Sequence, residues 1–395
     1  MSNDDEPKTP AALGYRLPAE WEPHAATWLA WPHNRDDWPG KFAPIPWVYA
    51  EIVRNLISTE PVHIFVRNAK TRDKAEEVLA RSGVDTSAVH MHHVPTDRVW
   101  TRDTGPSFVV READHSTGLV DWKFNAWAKY DNHRKDDKVP KYIEGLTGFR
   151  RWRPKADIDG KPRRVVLEGG SIDSNGLGTI LTTEECLLSD VQARNPGLGR
   201  EGVERALGDY LGASHVVWLN KGIVGDDTHG HVDDLARFVG PRTVALALET
   251  DPADANYGPT QENLVRLQAA VDQAGEPLEI LALPMPAPLY FEGQRLPASY
   301  ANFYVANGVV LVPTFNDPAD REALRLLATA FPGRRVVGIH AVDLVWGLGT
   351  LHCMTRDQPR GSGVDVDDVG DLVDGDGLGV LIGCQVAAVG AELHA

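Results

Sequence analysis

The sequence has 395 residues, of which 42% are hydrophobic and 24% charged, a balance that excludes a disordered chain and fits a soluble globular protein. The formal net charge of −16 argues against nucleic acid and anionic membrane surfaces as partners and is compatible with a cationic small molecule. The three cysteines, Cys186, Cys353 and Cys384, are widely spaced without a CxxC, which argues against a disulfide framework or a cysteine-based zinc site.

The length exceeds the roughly 250–300 residues at which one core usually stops growing, so two domains or one multi-unit domain are both open on size alone. No apolar run is long enough to span a bilayer, and the N-terminus (Met1 to Glu6) is acidic where a signal peptide would be basic. A cytoplasmic location is therefore expected.

Residues 1–12 read as a polar tail. The segment 26–31 reads as a buried strand, and 47–57 as an amphipathic helix with Val48, Ile52, Val53 and Leu56 on one face. A strand is expected at 62–66, a helix at 71–82 stopped by Gly83, and a strand at 89–94. Similar sets follow. The first has a strand at 165–167, a hairpin with a type I′ turn at Asn175-Gly176, a helix at 200–211 and a strand at 216–219. The next has strands at 244–248 and 278–283 around a helix at 260–274, and another has strands at 309–312 and 336–339 around a helix at 318–330. No exact repeat and no long linker is visible, so a single α/β assembly is favoured over two independent domains. From about Arg360 the chain turns Gly-rich and acidic (Asp365, Asp367, Asp368, Asp371, Asp374, Asp376). The EF-hand spacing is not met there, and a solvated tail or docking segment is expected.

Four polar clusters carry the candidate chemistry: Trp100-Thr-Arg-Asp-Thr-Gly-Pro106, Leu167-Glu-Gly-Gly170, the 226–234 run containing His229 and His231, and Gly347-Leu-Gly-Thr-Leu-His-Cys353. Each alone has a structural reading: an ion pair for Arg102-Asp103, a bend for Glu168, a small core residue for Cys353. The 226–234 run also invites a metal, although a third ligand and an outer shell are not evident. In an extended strand His231 and Asp233 point the same way, placing an acid/base beside a carboxylate. A cysteine, a histidine and several carboxylates suit one substrate in particular. A guanidinium presents a planar fork that paired carboxylates match. Its resonance-stabilised carbon demands a strong nucleophile such as a thiolate, and the bound cation favours that thiolate. A histidine then protonates departing ammonia and activates water.

The order WxRDxGP, FNAW, LEGGS, GHVD and GLGxxHCxT, from about Gly14 to Pro359, resembles the agmatine deiminase branch of the guanidino-group-modifying enzymes, which is grouped with bacterial peptidylarginine deiminases. The resemblance implies an α/β pentein fold, a five-bladed pseudo-symmetric propeller of ββαβ units, over 13–359, with 360–395 as an acidic extension. It implies Cys353 as nucleophile, His231 as acid/base, and Asp103, Asp233 and Glu168 holding the guanidinium, with no metal and no cofactor. Trp100 would wall the substrate channel, and Arg102, Gly169, Gly347 and Gly349 of the same motifs are assigned to substrate binding. The reaction implied converts agmatine to N-carbamoylputrescine and ammonia through a covalent thioether, a step in polyamine synthesis. Alternatives are a deiminase of free or peptidyl arginine, a non-catalytic pentein binding protein and a metal-dependent hydrolase. The chain departs from the family pattern at Ala128-Lys129-Tyr130 with the basic stretch 132–135, and at His229, which leaves recognition of the substrate's distal end open. Assembly as a homo-oligomer is likewise left open.

Overall fold

The computed structural model describes residues 8–158 and 160–361. The acidic extension and Cys384 lie outside the described residues. Five sheets carry one pattern: an antiparallel pair, then a helix, then a strand parallel to the second. In the first, Ser107–Arg111 and Ser116–Val120 are antiparallel, and Arg150–Trp152 returns parallel after the helix Val139–Thr147. The second runs Asp173–Ser174, Thr179–Thr183, helix Gly199–Leu211, His215–Leu219. The third runs Ala236–Phe238, Thr243–Leu248, helix Tyr257–Ala269, Glu279–Pro284. The fourth runs Tyr304–Val305, Val309–Thr314, helix Ala319–Ala330, Arg335–His340.

The fifth joins the two ends of the chain. Arg356–Pro359 pairs antiparallel with His24–Ala30, which pairs parallel with Val62–Val66 after the helix Ile45–Leu56. Val89–His93 adds a further parallel strand after the helix Ala69–Arg81. Strand pairing establishes these five units.

The elements form where local chemistry favours them. Ile45, Tyr49, Ile52, Val53 and Leu56 line one buried face of their helix, as an amphipathic period requires. Asn68 caps the next helix by accepting from the Thr71 N–H. The parallel strands Val62–Val66 and Thr243–Leu248 are buried almost throughout, as sheets covered on both faces are. Among the described residues no helix is long and apolar enough to cross a membrane.

Four local expectations are corrected. The Asn175-Gly176 hairpin exists, but Ser174 pairs with Ile180, leaving 175–178 between the strands. The Asn175 side chain accepts from the N–H groups of Leu177 and Thr179, so a local side-chain turn replaces the type I′ geometry. The segment 165–167 contributes one bridge, Val166 to Lys123, rather than a strand. The helix expected to reach residue 274 ends at Ala269. Beyond it Asp272 accepts from the N–H groups of Ala274 and Glu276, a competitor that helix propensity does not count. His231 and Asp233 belong to a 3-10 turn, Val232–Asp234, not a strand.

Candidate active site

Each unit delivers polar groups from the segment just before its first strand. Asp103 precedes Ser107–Arg111, Glu168 precedes Asp173–Ser174, His231 and Asp233 precede Ala236–Phe238, Asn302 precedes Tyr304–Val305, and Cys353 precedes Arg356–Pro359. Residues scattered over 250 positions of sequence are thereby gathered at one place.

His231 is the centre. It is fully buried, with Nδ1 3.9 Å from both Asp103 Oδ1 and Asp233 Oδ1, and Nε2 3.7 Å from Glu168 Oε2. These separations exceed hydrogen-bond length. Neither ring nitrogen has a hydrogen-bond partner among the described residues, nor does Glu168 Oε2 or Asp233 Oδ1. Burial alone would depress the imidazole, but the neighbouring Asp103 charge, the Cys186 thiol and Glu168 outweigh it and hold its pKa well above the usual value. His231 is therefore the protonated member, fit to give a proton to a leaving group.

Each carboxylate is held differently. Glu168 is anchored through Oε1 by the buried Arg194 Nε at 3.0 Å. Burial would raise its pKa, yet Arg194 and His231 bring it down to about 2. Asp103 accepts from the indole N–H of Trp127 at 2.9 Å and the Gly170 N–H at 3.0 Å, with burial pushing its pKa up. Asp233 Oδ2 lies 2.6 Å from His352 Nδ1, whose Nε2 is 2.8 Å from Glu20 Oε2. Burial opposes ionisation of Asp233, and the His352 contact wins and lowers its pKa. Asp234 is driven the other way, well upward, by burial and the adjacent Asp233 charge.

Cys353 is 6% exposed, and its sulfur lies 3.6 Å from Asp233 Oδ2 and 3.1 Å from the side-chain nitrogen of Asn302. Burial first, then the charges of Asp233, Asp234 and Asp103, raise its pKa well above a free thiol's. It rests as S–H, and a cation among the carboxylates would reverse that balance.

A cavity of about 80 Å³ reaches this sulfur, lined by Trp100, Asp103, Trp127, Gly347, Gly349 and Cys353, with Asp36, Asp37, Arg98, Tyr130 and Asp227 also on its wall. A Cβ at Gly349 would stand 3.2 Å from the sulfur, and one at Gly347 would collide with the Trp38 ring. Arg102 and Gly169, by contrast, face a second cavity behind the site, shared with Glu20 and His352. The Arg102 guanidinium is bound to Glu20 and Asp357, and its backbone N–H donates to the Cys353 carbonyl, so it supports the nucleophile loop from behind. Gly170, the neighbour of Gly169, approaches the centre: a Cβ there would lie 2.6 Å from His231 Nδ1 and 2.9 Å from Asp233 Oδ2.

Around His231 the histidine and aspartate run is engaged by protein groups. The His229 ring is 3.1 Å from the Ser189 hydroxyl, Asp226 accepts from the Thr228, Gly230 and His231 N–H groups, and Asp227 pairs with Lys129 and Tyr130. In the basic stretch, Lys135 pairs with Asp97, and Asn132 accepts from Arg98.

Sequence reasoning missed Asn302, His352, Glu20, Arg194 and Cys186. The last has its sulfur within 4.8 Å of ligand atoms of both Glu168 and His231. His352 stands inside a quoted motif, and Asn302 holds in its unit the place that site residues hold in the others.

Residues 16–359 match the model of the Porphyromonas-type peptidyl-arginine deiminase family. The chain belongs to this family. It is similar to the agmatine deiminase of Ectopseudomonas mendocina (strain ymp), 36% identical over 90% of this chain and 98% of that protein. It is 37% identical to the agmatine deiminase of Pseudomonas aeruginosa (strain LESB58), over 91% and 99%. The solved agmatine deiminase of Enterococcus faecalis superposes with a TM-score of 0.81 at 32% identity, covering 90% of this chain and 98% of that one. The pentein fold expected from the motifs is thus the fold of this family member, a hydrolase of guanidino C–N bonds.

Proposed function

We propose that the chain hydrolyses agmatine to N-carbamoylputrescine and ammonia, with Cys353 as nucleophile and 13–359 as the catalytic domain. The observation that carries the mechanism is a set of buried atoms around His231 without a hydrogen-bond partner among the described residues: Glu168 Oε2, Asp233 Oδ1 and the two ring nitrogens. Unmade buried hydrogen bonds are costly, and a planar cation with a fork of N–H donors would complete the carboxylates. In this reading Asp103, Asp233 and Glu168 hold the guanidinium while Trp100 flanks it. As the cation binds, the Cys353 thiol loses its proton to solvent, and the thiolate adds to the guanidinium carbon. His231 gives its proton to the departing nitrogen, which leaves as ammonia. The neutral His231 then takes a proton from water, which adds to the amidino-thioether carbon. Collapse of that adduct releases the ureido product and restores Cys353.

The preference for agmatine over arginine rests on the cavity mouth. Asp36, Asp37 and Asp227 line it, and Asp37 Oδ2 has no hydrogen-bond partner among the described residues. Arg98 is committed to Asp37 and Asn132. A distal ammonium suits that wall, whereas an α-carboxylate meets like charge. The test is kcat/KM across agmatine, arginine and a peptidyl arginine, with ammonia and ureido products measured. Agmatine should lead by a wide margin; equal or better turnover of arginine would overturn the assignment.

A further inference from the structure

We infer that Asn302 is a further catalytic residue, whose side-chain amide donates a hydrogen bond to the Cys353 sulfur and stabilises it as the thiolate that attacks. The inference rests on Cys353 being the nucleophile, and three independent observations support it.

The first is contact. Asn302 Nδ2 is 3.1 Å from Cys353 Sγ, and the other amide hydrogen faces Asp234 Oδ1 at 3.0 Å. The second is fixed orientation. Asn302 Oδ1 accepts from the Thr350 hydroxyl at 2.8 Å and the His352 N–H at 3.0 Å. A rotated amide would turn its N–H groups onto these donors and its oxygen onto the sulfur, so the network permits one orientation. The third is placement. Asn302 is fully buried and stands just before the first strand of the fourth unit, as Asp103, Glu168, Asp233 and Cys353 stand in theirs. Without it that unit would bring no polar side chain to the sulfur.

The chemistry explains why an amide belongs there. The carboxylates that grip a guanidinium also oppose a negative sulfur. A neutral donor offsets that opposition without repelling the substrate, as a lysine or arginine would. A hydrogen bond to a charged acceptor is worth more than one to a neutral thiol, so the gain grows as the proton leaves.

Asn302→Asp keeps the oxygen that receives Thr350 and His352 and removes the amide; Asn302→Ala removes both. In each, kcat for agmatine should fall by about 10- to 100-fold, matching the typical loss of a hydrogen bond to a charged group. The pH at which Cys353 is half-maximally alkylated by iodoacetamide should rise by about one to two units. An alkylation profile unmoved from wild type in a folded variant would overturn the inference. Should both variants fail to fold, the wild-type protein decides: the side-chain amide signal of isotope-labelled Asn302 must shift as Cys353 titrates, and an unmoved signal refutes the bond. Cys353→Ser separates the two levels. If it retains turnover, the nucleophile assignment fails; if it is inactive and the Asn302 variants titrate normally, only the role of Asn302 fails.

Discussion

The imidazole of His352 lies 2.6 Å from the carboxylate of Asp233 and 2.8 Å from that of Glu20. It thereby fixes Asp233 Oδ2 and leaves Oδ1 turned to the centre. Partners of this kind, one step removed from the reacting atoms, often control activity as strongly as the residues they orient. His352→Phe should lower kcat/KM for agmatine by about 10- to 100-fold, with His352→Gln retaining more by keeping one bond. Equal kinetics in the two variants would remove the positioning role.

The two described thiols should differ sharply. Cys353→Ser should fold normally and lose more than about 1,000-fold in turnover. Cys186→Ser, whose sulfur neighbours Glu168 and His231 without reaching the cavity, should lose a small fraction of that. Mass spectrometry of the intact protein quenched during turnover should place the amidino adduct on Cys353 alone.

Asp37 gives the substrate's far end a pH dependence. Burial, opposed by Arg98, pushes its carboxyl up to about 7. Below that pH the group is neutral and its attraction for a distal ammonium is lost. KM for agmatine should therefore rise as pH falls through about 7, with kcat less affected. Asp37→Asn should show the raised KM at every pH and a flattened profile.

Stability should decline on the alkaline side. Burial would depress His24, but the Glu60 carboxylate 3.2 Å away outweighs it and lifts the imidazole to about 9. Because the folded pKa exceeds the unfolded one, the stabilisation is fully present below about 6.5 and is lost as pH climbs through about 9. The loss is on the order of 3 kcal/mol. Urea unfolding midpoints between those limits should fall for wild type and stay nearly level for Glu60→Gln.

A Cβ at Gly170 would press on His231, Asp233 and Asp103 together. Gly170→Ala should thus cost activity far beyond its effect on the melting temperature, while Gly258→Ala, with open space around it, should leave activity unchanged.

Much of this was legible in the sequence because it depends on local periodicity and on motifs that carry their own geometry. The helices at 45–56 and 319–330 announce themselves by apolar spacing, and Cys353, His231, Asp103, Asp233 and Glu168 stand in recognisable runs. What stayed hidden depends on tertiary neighbours. Asn302 lies 51 residues before the sulfur it touches, in a segment without a distinctive pattern, and only the succession of units reveals its place. Glu20 reaches His352 across 332 positions. Arg102 and Gly169 sit in the same motifs, and the short helical turns that carry them put both on the second cavity with Glu20 and His352. His231 and Asp233 share a pocket through a tight turn, a conformation their spacing alone does not distinguish from a strand.

The strand Arg356–Pro359 begins three residues after Cys353 and completes a sheet whose partner strand, His24–Ala30, is among the first made. During synthesis the early strand must wait, one edge uncovered, until almost all of the described chain has left the ribosome. The nascent protein is therefore catalytically silent for nearly its whole elongation, and chaperones that shield open sheet edges have their longest opportunity at that strand.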